Sequence, residues 1–166
     1  IADVLRDPRV QMTDLHRGDS GDIHLNLAIP VFALPNPHAS ESSRVQRGDP
    51  TDAQPFPPLL AVLLLELDPG RFLYPLIQSW PVPSQTAETL LVRRDGGDAL
   101  FLNELRHRTN TALSFRVPLT GANVPAVWAA LGQVGTREGL DYRGVPVLAA
   151  VRAVPDSPWF MVAKVD

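Results

Sequence analysis

The stretch that most constrains this chain is residues 139–166, GLDYRGVPVLAAVRAVPDSPWFMVAKVD. It holds two runs rich in β-branched, aromatic and aliphatic residues, Tyr142–Val154 and Trp159–Val165. Between them lies Pro155-Asp156-Ser157-Pro158, four residues whose three types each favour a tight turn. The reading is an antiparallel hairpin. The run stops on Val165-Asp166 with no polar tail, as expected of a domain cut from a longer protein.

At 166 residues the chain is long enough for one domain, or one and a half small ones. Folding at this size hides roughly 70% of the unfolded surface. Apolar residues make up 45% of the chain, which excludes a disordered polymer. The net charge of −3 gives no electrostatic case for nucleic acid. The absence of cysteine excludes a disulfide framework, a thiolate metal site and a cysteine nucleophile, and is compatible with the periplasm. The longest aliphatic run, Leu59–Leu67, falls short of the ~18 residues of a membrane span. Spans of a membrane-bound parent are expected outside this sequence.

Seventeen prolines, about twice the ordinary share, punctuate the chain. Pro35–Pro58 is polar with almost no aliphatic residues and is expected to be a mobile loop. Ile23–Leu34 alternates like a strand, while Leu59–Leu67 reads as a strand covered on both faces. A helix is expected from Asp68, with Asp68 as cap and Pro69 at its first position. After Trp80-Pro81-Val82-Pro83 a second unit begins at Ser84. It should contain strands at 88–94, 99–103 and 112–119, with Asp95-Gly96-Gly97-Asp98 as a hairpin turn. A short helix over 124–131, capped by Asn123, precedes the final hairpin.

A weak internal repeat links the two parts. Leu59–Asp68 and Trp159–Asp166 both close as aliphatic-aliphatic-x-charged-aliphatic-Asp. Asp141-Tyr142-Arg143-Gly144, Val147–Ala150, Trp159 and Val162–Asp166 resemble the closing hairpin of Cache-type extracytoplasmic sensor domains. Thr13–His16, Pro30-Val31 and Leu65–Asp68 resemble the back half of an earlier module of the same kind. The resemblance implies an α+β fold: a PAS-like antiparallel sheet of about five strands flanked by helices, preceded by a partial copy of that unit. Residues 1–80 would be an incomplete membrane-distal module with its linking helix, and 84–166 a complete membrane-proximal one.

No recognisable catalytic constellation is present. His16, His24, His38 and His107 lack metal-type spacing, so neither a metal nor a cofactor is expected. Asp14 and His16 would share one face of a strand at a module rim. In the second module Asn103, Arg106, Arg116, Asp141 and Tyr142 are the candidate ligand-binding residues, because Arg106 and Arg116 offer forked donors that match a carboxylate. Arg116 could instead pair with Glu104 or Asp141. Trp128 and Trp159 are expected in the core, and Trp80 between modules.

What the resemblance implies for function is signal input. The chain would be the extracytoplasmic ligand-sensing region of a bacterial transmembrane protein, a sensor histidine kinase or a diguanylate cyclase, taking an organic acid or amino acid. The parent would be membrane-anchored and dimeric, and this region itself not an enzyme. Two other readings are a protein-interaction module docking through 35–58, and a small hydrolase using Asp14, His16 or His107.

Overall fold

The computed structural model describes residues 2–34 and 57–166. The loop expected over Pro35–Pro58, and the docking role tied to it, therefore fall almost wholly outside the described residues. By internal contacts the chain divides into one unit of Ile1–Thr13 with Asn26–Leu67 and another of Asp14–Leu25 with Asp68–Asp166. The boundary expected from the sequence puts residues 14–25 and 68–80 in the first part; by contacts both groups belong with the second.

The first unit carries helix α1 (Ala2–Arg6) and strand β1 (Gln11–Met12). β1 pairs antiparallel with β3 (Ile23–Phe32), Gln11 opposite Ala28. Strand β4 (Leu59–Leu67) also pairs with β3. The bounds of β4 match the aliphatic run, but the expected two-sided burial does not hold: Leu60 is 69% and Leu64 49% exposed. A continuous aliphatic run shows that a strand can be buried, and it takes a second covering layer to bury it. In the second unit, β2 (His16–Arg17) pairs with the start of β3, His16 opposite His24.

The rest of the second unit is an antiparallel sheet in the order β7-β6-β5-β10-β9-β8. Its strands are β5 (Glu88–Asp95), β6 (Asp98–Phe101), β7 (Arg116–Pro118), β8 (Gly135–Leu140), β9 (Pro146–Ala153) and β10 (Trp159–Val165). β5 and β10, the first and last strands of this sheet in sequence, lie side by side at its centre. Gly96, at φ +61°, turns β5 into β6 within two residues, as the Gly-Gly pair requires. Helix α3 (Pro125–Ala130) packs on one face, over β5, β6, β9 and β10. Leu90, Val92, Phe101, Val127, Val151 and Val162 form the heart of that interface.

Four local expectations are corrected. Helix α2 is Leu73–Gln78 and does not start at Asp68. Asp68 instead folds a turn, its carboxylate accepting the Gly70 N–H at 2.8 Å; Pro75 then falls in the first helical turn, where its missing N–H leaves nothing unpaired. Pro125 takes the first position of α3, but the cap is Val124, with no side-chain bond, and not Asn123. The strand expected over 112–119 shrinks to Arg116–Pro118, because Thr111–Phe115 closes a turn with Leu113 at φ +54°. β8 is a further strand, which makes the sheet six-stranded where about five were expected.

Candidate functional site

The Asp141–Val145 turn, which joins β8 to β9, builds the centre of the site. Gly144 sits at φ +79°, a conformation that glycine adopts without strain. Asp141 Oδ1 accepts the N–H groups of Arg143 (2.8 Å) and Val145 (3.2 Å), so the side chain caps its own turn. That bonding aims Oδ2 at two cations, Arg143 Nε at 2.7 Å and Lys164 Nζ at 2.8 Å. Burial alone would raise the Asp141 pKa. The donors on Lys164, Arg143 and the turn backbone outweigh it and hold the group below the ordinary aspartate value.

Lys164 and Glu88 are direct partners across β10 and β5, with Nζ 3.2 Å from Oε2. The side chains of Lys164 and Asp141 are each 1% exposed, and that of Glu88 5%. The Tyr142 hydroxyl donates to the same Glu88 carboxylate, 3.0 and 3.2 Å from its two oxygens. Burial first, and then the neighbouring Glu88 charge, push the Tyr142 phenol well above its usual range. Arg143 also reaches Asp166, at 2.5 Å, and Lys164 Nζ lies 3.6 Å from the same oxygen. Three carboxylates thus surround two cations, largely out of water. Such a cluster persists only when each charge is paired.

Beside this cluster lies a cleft of about 440 Å³. Trp80, Val82, Pro83 and Leu105 supply apolar lining, and Glu88, Glu104 and Arg106 supply charge. The Glu104 carboxylate is engaged by Ala112 N–H (3.2 Å), Thr111 N–H (3.1 Å) and Thr111 Oγ1 (3.2 Å), so it staples the 104–112 loop. Arg106 is exposed. Its backbone N–H meets Glu88 Oε1 at 2.6 Å, and its guanidinium rests on the carbonyls of Ala87 (2.6 Å) and Ser84 (3.3 Å). A guanidinium has five N–H donors, so this fork keeps donors for a bound anion. The cleft can therefore take a small molecule with an apolar body and a carboxylate end.

Four of the five sequence candidates come together here. Asp141 and Tyr142 form the buried cluster, and Arg106 lines the adjoining cleft. Asn103 is fully buried beneath them; its Oδ1 accepts the Leu91 N–H at 2.7 Å and its amide donates to Glu104 O, so its role is to extend β5 pairing past the end of β6. Arg116 stands apart. It pairs with neither Glu104 nor Asp141 but with Asp95, at 2.8 and 3.2 Å, next to the β5–β6 turn.

Asp14 binds Arg93 (2.9 Å), while His16 is exposed in β2. Trp128 and Trp159 are both buried, and Trp80 lines the cleft. Among the described residues no group of three or more His, Cys, Asp or Glu could hold a metal.

Sequence reading missed Glu88 and Lys164. The signal was present for the lysine: in WFMVAKV, period-two alternation puts Lys164 on the face of Phe160 and Val162, which pack toward α3. The partner strand hides Glu88 until register is known.

No protein-family model matches the chain, and no curated protein does. Solved structures share its fold. The ligand-binding domain of Mlp24, determined with asparagine, superposes at a TM-score of 0.52 with 16% identity, covering 99% of this chain and 54% of that one. The extracellular domain of mmHK1S-Z2, described as a histidine kinase, gives a TM-score of 0.56 with 14% identity, covering 99% and 53%. The chain thus spans about half the length of the solved structures it matches. Its fold is the α+β, PAS-like one of these two domains, as the terminal hairpin suggested.

Proposed function

We propose that this chain is the extracytoplasmic, ligand-sensing input region of a bacterial membrane-anchored signalling protein of the sensor histidine kinase kind. The observation that carries the reading is the cleft at Arg106, set in a fold shared with two sensor domains. The ligand class is a small organic acid or amino acid, held by its carboxylate on Arg106 with its body against Trp80, Val82 and Leu105. Asparagine in the Mlp24 domain supports a ligand of that size. On this reading the protein is periplasmic, residues 84–166 carry the membrane-proximal module, the part of 1–80 outside 14–25 and 68–80 contributes to a distal one, and the full-length receptor is a dimer. Signalling requires that ligand bind two states of the domain unequally.

The test is a thermal-shift panel of organic acids and amino acids on the whole chain. A ligand at a hundredfold its Kd adds about 2.7 kcal/mol to native stability. A member of the panel should raise the midpoint of the wild type and of Arg116→Ala, but not of Arg106→Gln. No rise with any compound, or an equal rise with Arg106→Gln, refutes the site.

A further inference from the structure

We infer that Glu88, Asp141 and Tyr142 form a binding box for a primary alkylammonium, and that the box is filled from within by the side chain of Lys164. The Lys164 ammonium meets two carboxylates, Asp141 at 2.8 Å and Glu88 at 3.2 Å, and stands 5.5 Å from the centroid of the Tyr142 ring. Two anions and an aromatic ring at these distances are what a desolvated ammonium needs. The contacts are ion pairs of 2.8 and 3.2 Å between buried groups, so the box holds the cation chiefly by charge. A cavity of about 10 Å³ adjoins the group, lined by Leu90, Phe101 and Val124 together with Asp141, Tyr142 and Lys164. That is space for a single water and no ligand.

The box is thus closed while β10 stays in register, since that register sets Lys164 opposite Glu88. A free amine reaches the carboxylates only when the lysine is absent. This inference is independent of the proposed ligand at Arg106.

Lys164→Ala removes Cγ to Nζ, and n-propylammonium restores those four atoms. In the whole chain, Lys164→Ala should melt well below the wild type. Millimolar n-propylammonium chloride should raise its midpoint by several degrees in a saturable manner. Equal n-propanol or tetramethylammonium chloride should not, and the wild type should ignore all three. Equal effects of amine and alcohol, or an equal rise in the wild type, overturn the proposal.

A second comparison needs no cavity. Lys164→Met fills the space without charge and should be markedly destabilised, and adding Glu88→Gln should recover part of the loss. A Lys164→Met protein as stable as the wild type, or no recovery in the double variant, also overturns it.

Discussion

The indole N–H of Trp159 donates to Asp14 Oδ1 at 2.6 Å, across 145 residues of chain. The other carboxylate oxygen of Asp14 lies 2.9 Å from Arg93 Nε, and Arg93 is the register partner of Trp159. One carboxylate thus accepts the Trp159 indole hydrogen bond and pairs by charge with Arg93, holding Asp14 against the central strands of the second unit. Asp14→Ala orphans a buried donor and should lower the unfolding free energy by about 1–3 kcal/mol. Asp14→Asn keeps one acceptor and should lose less. Urea unfolding followed by tryptophan fluorescence measures both; a neutral Asp14→Ala would show that the pair is incidental.

The chain has two tyrosines, and both are held protonated. Burial, followed by the Glu104 charge, pushes Tyr74 up to about 12, and burial with Glu88 lifts Tyr142 further. A phenol whose folded pKa exceeds the unfolded value of about 10 contributes stability below that pH and loses it as pH rises beyond. Native protein at pH 10–11 should therefore show little tyrosinate absorbance, denatured protein should show both groups titrating near pH 10, and the urea midpoint should fall over the same window. Half-ionised tyrosine in the native protein at pH 10 contradicts this.

Asp141 has the opposite sign. Its pKa is depressed, so its contribution is complete above the ordinary value of about 3.9 and is lost as pH falls through the lower folded value. Asp141→Ala leaves Lys164 without its nearest partner and should cost about 3–5 kcal/mol at neutral pH. The stability gap between wild type and Asp141→Asn should be constant from pH 7 to 5 and narrow below pH 4. A gap that stays constant down to pH 3 contradicts the assigned shift.

Gly139 in β8 is buried against α3. A Cβ there would stand 2.4 Å from the Trp128 ring and 2.9 Å from the Asn123 carbonyl oxygen. Gly139→Ala should destabilise by roughly 1–3 kcal/mol through overpacking. Gly97→Ala, where a Cβ meets nothing within 4 Å, should change stability by less than about 0.5 kcal/mol. Equal midpoints for the two variants would remove the packing argument.

The parts of the fold legible in the sequence are those with local causes. The Asp95–Asp98 turn declares itself through paired glycines, β10 through its apolar run, and α3 through Pro125. β8 is different: Gly-Thr-Arg-Glu-Gly-Leu has no strand pattern and is a strand because β9 offers it a ladder and the Trp128 ring leaves no room for a side chain at 139. The site divides in the same way. Asp141 and Tyr142 sit in a recognisable turn. The Lys164–Glu88 pairing and the Arg116–Asp95 ion pair both depend on inter-strand geometry that no local residue pattern encodes.

The central claim is that a small carboxylate binds in the cleft beside Arg106. Chemical-shift mapping of the isotope-labelled chain, titrated with the compound giving the largest thermal shift, tests it most directly. Backbone amides of the non-proline residues in 78–89 and of 104–106 should move together with a single dissociation constant, and those around Asp95 and Arg116 should stay still. Absence of any binder in the panel, or movement centred elsewhere in the sheet, would contradict it.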